Sequence, residues 1–244
     1  MRVFDAHVHL GESGPWLPYM DPSISTSDLM NLFDRHDVER AIVFPNPHSG
    51  DKYPEMNDYI ADSVSKYPDR LVGFGRVDPR RKDAAKELNR MKTSLKLRGL
   101  KLHPFVECFR PDHPFFDSFF ERVNQLDLPI LFHTGDGFSS PSLISRIASK
   151  FPEVHLILGH LKEASLSMLE RFDNVYVETS GTTSKLIEMA INIAEDRVLF
   201  GSDVPYFRYP TQIAVIEASS IDNKAKRKVL RDNFQKFVSK YCSP

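Results

Sequence analysis

The chain has 244 residues and a formal net charge of −1, with 32 basic side chains against 33 acidic ones. Near-neutrality without a basic run argues against nucleic acid as a partner, and 41% hydrophobic with 27% charged residues is the make-up of a globular protein with an ample core. Two distant cysteines, Cys108 and Cys242, indicate neither a disulfide framework nor a thiolate metal site. With no basic-then-apolar leader and no apolar run long enough to span a bilayer, the expectation is a cytoplasmic protein without a membrane partner.

In chain order, the first strand-like run is RVFDAHV, which with the next two residues places His7 and His9 two apart. Side chains alternate along a strand, so both imidazoles face the same way and can close on one metal ion. A long Gly- and Pro-rich link containing Trp16 and Tyr19 leads to SDLMNLFDRH, whose apolar residues recur at helical spacing. The alternation then repeats: RAIVFP and MNDYIADSVSKY, LVGFGRV and KDAAKELNRMKTSL, GLKLH and FFDSFFERVNQL, PILFH and SLISRIASKF. VHLILG, VYVET with SKLIEMAINIA, and RVLFGS follow, and KAKRKVLRDNFQKFVSK reads as a last amphipathic helix with solvated charges.

Eight strand-like runs alternate with helical segments. The helix-to-strand turns (YPDR, FPEV, FDNV, AEDR) are short and polar, whereas strand-to-helix links are long and irregular, as expected of loops that shape a site. The predicted fold is an α/β (β/α)8 TIM barrel forming a single domain over residues 1–244, with its site at the C-terminal ends of the strands. An open doubly wound sheet is the alternative, against which stands the lack of a GxGxxG loop after the first strand.

The barrel makes its own test, because functional side chains from distant strands should all fall at C-terminal strand ends. They do. His7 and His9 end the first run, Lys101 and His103 the fourth, and His133 the fifth, while His160 follows the sixth and Asp203 the eighth. Buried imidazoles and a carboxylate converging at one place need partners, and a divalent cation is the economical one. The donor types suit Zn²⁺ first, with Mn²⁺ or Fe²⁺ as alternatives.

DAHVHL, GLKLHP, LFHTG, LGH, VYVETSG and GSDVP, in this order from end to end, resemble the amidohydrolase superfamily of metal-dependent barrels, in particular amidohydrolase family 2. That branch contains hydrolases, lactonases and non-oxidative decarboxylases. The resemblance implies His7, His9, His133 and Asp203 as metal ligands, with His160 acting beside the metal or binding a second ion. One ion is expected; two would follow if Lys101 were a carboxylated bridge, the alternative being a lysine that pairs with an acid or holds an anionic substrate. Lys162 stands where such chains commonly carry glycine.

The expected function is a metal-dependent hydrolase that activates water to cleave an ester, lactone or amide bond of a small substrate. Asp203 would move the proton and His160 would polarise the carbonyl. A non-oxidative decarboxylase of an aromatic or unsaturated acid is the alternative, with Lys101, His103 and Arg76, together with Arg110 and Arg208, as candidate contacts for the substrate and its carboxylate, and Trp16 and Tyr19 as a cover for a planar ring. A PHP-type phosphoesterase is a second alternative, disfavoured by GSDVP and LFHTG. A scaffold protein of the same shape would tolerate loss of a metal ligand, and none is lost. FFDSFF could pack on the barrel or on a second copy in a homo-oligomer.

Overall fold

The computed structural model of the chain describes residues 2–15 and 20–242. Strand and helix alternate through β1 (Val3–Leu10), α1 (Thr26–Arg35), β2 (Val38–Pro45), α2 (Tyr53–Lys66), β3 (Leu71–Arg76), α3 (Ala84–Thr93) and β4 (Gly99–Leu102). The second half continues with α4 (Asp117–Gln125), β5 (Ile130–Phe132), α5 (Pro141–Lys150), β6 (Leu156–Leu158), α6 (Glu163–Arg171) and β7 (Val175–Glu178). It ends with α7 (Ser184–Ala194), β8 (Val198–Leu199), α8 (Tyr209–Glu217), α9 (Asn223–Arg227) and α10 (Asn233–Tyr241).

The strands pair in sequence order from β1 to β8, all parallel. The circle closes through a parallel bridge between Val8 and Val204 and backbone bonds from Ala6 to Phe200, His9 to Val204 and Asp203 to His7. The fold is therefore the expected (β/α)8 barrel. Its later strands are shorter than the apolar runs that encode them: β8 pairs over two residues only, and the chain beyond it continues alongside β1 as a loop.

Two apolar layers account for the stability. Outward-facing strand residues such as Val43, Leu100, Ile130 and Leu158 meet the inner stripes of the helices, including Ile60, Leu88, Val123 and Ile144. Inward-facing Phe4, Ile42, Phe44, Val72, Phe74, Leu131, Ile157 and Leu199 fill the barrel, and Phe234, Phe237, Val238 and Cys242 pack on the same cluster. The final amphipathic segment is thus a plug for the barrel, interrupted by a π-helical turn at residues 228–232. In FFDSFF, Phe116, Phe119 and Phe120 are buried and only Phe115 is widely exposed, so this stretch serves mainly the core. Among the described residues, no helix is long and apolar enough to cross a membrane.

Phe234 lies edge-on to Phe4 with ring centroids 5.4 Å apart. Phe234→Ala should therefore cost about 3–5 kcal/mol through the cavity it leaves, read by urea unfolding. The plug also shelters His155, whose ring lies 3.6 Å from that of Tyr241 and whose pKa is pushed down to about 4, by burial first and then by Lys240. The unfolded chain accepts this proton near pH 6.5 and the folded one does not, so His155 removes stability progressively as pH falls from about 6.5 to about 4. His155→Phe should flatten the unfolding free energy across that window.

Candidate active site

A β-bulge shapes the first strand. Asp5 is level with Ala41 but Val8 with Val43, so β1 advances one residue further than β2 between these points. The extra residue keeps His7 inside although Ala6 also belongs to the barrel interior, and His9, level with Phe44, follows on the same side. Asp5 fastens the bulge from behind, accepting from the backbone N–H of His7 (2.9 Å) and of Ser202 (3.0 Å) and from the Tyr209 hydroxyl (2.7 Å).

Around this strand the predicted rim residues assemble. His7, His160 and Asp203 each offer a ligand atom within 4.8 Å of the others, the one group of three such residues among the described residues. Asp203 Oδ1 lies 3.1 Å from His7 Nε2 and 3.2 Å from His9 Nε2. His133 stands one step away, its Nδ1 3.0 Å from His160 Nε2, and His103 stacks on it with centroids 3.6 Å apart. Lys101 Nζ is 3.1 Å from His7 Nε2 and lies over the Phe44 ring.

The electrostatics suit a cation. Burial, then the positive charge of neighbours, drives the pKa of His9 down to about 3, that of His160 to about 4 and that of His133 lower still, so these rings present lone pairs at neutral pH. Burial and Arg76 lower Lys101 to about 7. Burial and Lys101 work against a proton on His7, but Asp203 and Glu178 outweigh them and raise it. Burial would raise Asp203 too, yet His7 and His9 hold it well below the usual carboxylate range. Imidazole nitrogens and one carboxylate oxygen, gathered by separate strands into a buried cluster, form a donor set that fits a divalent ion.

Glu178, at the end of β7, completes the site and was not singled out from sequence. It is wholly buried and accepts at Oε1 from His7 Nδ1 (2.8 Å), the His160 N–H (2.6 Å) and the Ser180 hydroxyl (2.8 Å), and at Oε2 from the Ser180 N–H (2.7 Å). Burial pushes this carboxyl up, but His7, His160 and the Ser180 N–H bring it down to about 2. A glutamate within the apolar run VYVET was the available signal, since a strand in a barrel has no solvated face for it. Two motif glycines make its seat: a methyl at Gly201 would overlap Oε2, and one at Gly159 would lie 3.2 Å from Oε1 and 2.9 Å from the Phe132 carbonyl. His160, next after Gly159, and Asp203, two after Gly201, adopt left-handed backbone angles, φ 58° and 57°.

Other candidates are placed differently. Arg76 is fully buried, with Nη2 3.0 Å from Glu107 Oε1 and its guanidinium against the Tyr53 ring, so it is engaged within the wall between β3 and the loop after β4. Arg110 is paired with Asp112, and Arg208 lies exposed before α8. Trp16 and Tyr19 lie outside the described residues. A cavity of about 970 Å³ opens over His133, His160 and Asp203, and its walls include Tyr206, Phe207 and Lys162, three residues not predicted to line the site.

Fold and donor set together define a (β/α)8 barrel with a metal-binding site at its mouth. The amidohydrolase family model matches residues 4–238, and the chain belongs to this family, an enzyme of the amidohydrolase superfamily. It is 24% identical to the gamma-resorcylate decarboxylase of Rhodococcus jostii, with 84% of each chain covered. Among solved structures it is similar to 5-carboxyvanillate decarboxylase from Sphingomonas paucimobilis (TM-score 0.77, 18% identity, 96% of this chain and 98% of that one). It is also similar to a dihydroxybenzoic acid decarboxylase from Polaromonas sp. JS666 with bound manganese and the inhibitor 2-nitroresorcinol (TM-score 0.77, 19% identity, 98% and 97%). These relatives overturn the expectation of a hydrolase, because each of the three is a decarboxylase; the ligand pattern alone serves both reactions and could not separate them.

The glycine seats give a direct test of the Glu178 cluster. Gly201→Ala should destabilise the fold by about 1–3 kcal/mol through overpacking. Gly135→Ala, whose new methyl meets only His133 Nε2 at 3.7 Å, should leave urea unfolding nearly unchanged.

Proposed function

We propose that this protein is a metal-dependent, non-oxidative decarboxylase of a small aromatic carboxylic acid, a hydroxybenzoate in the first instance. The observation that carries the reading is the convergence of His7, His160 and Asp203 beneath a cavity walled by Tyr206 and Phe207. The decarboxylase relatives support it. His7, His9, His133 and Asp203, with His160 beside them, are the residues that would hold the ion; Mn²⁺ is the first to try, with Zn²⁺ as the alternative that the donor types suit. The bound cation supplies Lewis acidity and orients the substrate's oxygens.

The chain's own residues account for the remaining demands. Tyr206, whose hydroxyl is 3.3 Å from Asn46 Oδ1, and Phe207 offer apolar faces to a planar ring. Lys162 at the cavity wall is the cation proposed to meet a carboxylate. Decarboxylation requires a proton at the ring carbon that bears the carboxylate; the bond between the two carbons then breaks, its electron pair stays with the ring, and CO₂ leaves. Asp203 is the group proposed to carry that proton, since its side chain reaches the cavity while Oδ1 rests on His7 and His9. A carboxyl held well below its usual range is seldom protonated but is a strong acid when it is, which matches a weakly basic carbon.

The test is CO₂ release from 2,6-dihydroxybenzoate and from 5-carboxyvanillate by protein stripped with chelator and reloaded with Mn²⁺ or Zn²⁺. Turnover that depends on the ion and falls by at least about 10²-fold in Asp203→Asn is expected. No CO₂ from any hydroxybenzoate offered to the metal-loaded protein would overturn the reading.

A further inference from the structure

The contacts of Glu178 decide where the protons of the neighbouring imidazoles lie. A carboxylate only accepts, and here it accepts at Oε1 from the Ser180 hydroxyl at 2.8 Å. The same hydroxyl oxygen lies 2.9 Å from His160 Nδ1. Ser180 has one hydroxyl proton, and if it pointed at His160, two oxygens at 2.8 Å would face each other through lone pairs. With that proton given to Glu178, only lone pairs remain for His160 Nδ1, which must bring a hydrogen of its own.

We infer that Glu178, acting through Ser180, is a positioning residue that holds His160 in the Nδ1–H tautomer and so presents its Nε2 lone pair to the centre of the site. The partner at 3.0 Å on the other side agrees: His133 Nδ1 then donates to His160 Nε2, and the donors run in one direction from His133 through His160 and Ser180 to Glu178. A second branch reaches the same oxygen from His7 Nδ1. One carboxylate thereby orients two imidazoles, His7 on β1 directly at its Nδ1 and His160 after β6 through Ser180, while Nε2 of His7 turns to Asp203. The His160 N–H, bonded to Oε1 at 2.6 Å, anchors the left-handed residue to the same group. Neither Ser180 nor Glu178 is among the residues that line the cavity, and their effect is exerted through His160. This inference takes from the proposed function only that His160 faces the reacting centre; the tautomer is a property of the folded chain whatever the reaction.

Long-range ¹H–¹⁵N correlation spectra of ¹⁵N-histidine-labelled, chelator-treated full-length protein read the tautomer directly, with His160→Gln to assign the signals. The wild type should show His160 protonated at Nδ1 and bare at Nε2. Ser180→Ala should release the ring toward Nε2–H and weaken Zn²⁺ affinity about 10–100-fold, the usual effect of removing a partner behind a metal-ligating histidine, and Ser180→Thr, which restores a hydroxyl, should reverse both. A wild-type His160 protonated at Nε2 overturns the inference by itself, even if Ser180→Ala does not fold, and so does a folded Ser180→Ala with unchanged tautomer. CO₂ assays are independent of these spectra, so failure of the decarboxylase reading would be told apart from failure of this one.

Discussion

A buried carboxylate at the end of β7 is the constraint on which the mouth of this barrel depends. Glu178 is wholly buried, so its charge is balanced by donors drawn from β1, from the turn after β6 and from the chain just beyond β7. Each donor is a site residue or its neighbour. The two glycines that precede His160 and Asp203 are small because this carboxylate occupies the space their side chains would need. Packing, charge and ligand orientation are therefore one problem solved by a single group.

The positions of His160 and Asp203 carry conformational cost, and the same network offsets it. His160 and Asp203 sit in left-handed conformations that non-glycine residues adopt sparingly. Their N–H groups are both satisfied, His160 by Glu178 and Asp203 by the carbonyl of His7. The β1 bulge works similarly, with Asp5 gathering the backbone of His7 and Ser202 and the Tyr209 hydroxyl. The clustered imidazole and carboxylate side chains rest on strand ends backed by hydrogen bonds, while the loops are left to shape the cavity above them.

The cavity is where the choice between reactions lies. Hydrolysis and decarboxylation ask the same of a cation held by imidazoles and a carboxylate, so the ligand pattern cannot distinguish them. What differs is the substrate's shape and charge, and here the walls contribute aromatic faces from the loop after β8 and a lysine from the start of α6. Lys162 was visible in sequence only as a departure from the usual glycine; its place beside His133 and His160 gives that departure a physical sense.

Much of the architecture was legible in the sequence because it is local. The alternation of strands and helices follows from apolar periodicity, and His7, His9, Lys101, His103, His133, His160 and Asp203 could be set at the mouth because each closes or follows a strand of a parallel barrel. Pairwise geometry was not legible, since it depends on contacts between residues far apart in the chain: His7 meets Glu178 across 171 positions and Lys101 across 94. Arg76 illustrates the limit. At a strand end it reads as a clamp for an anion, yet the loop after β4 folds back and delivers Glu107 to it first. The tail shows the same, for its amphipathic pattern implied a helix with a buried face, and only the closed barrel supplied the opening which that face fills. Sequence by itself determined the fold class and the set of side chains at the rim, because hydrophobic period and strand ends are read along the chain. The tertiary structure decided which of them meet, which carboxylate orients them and what lines the cavity, because those depend on the closure of the sheet in space.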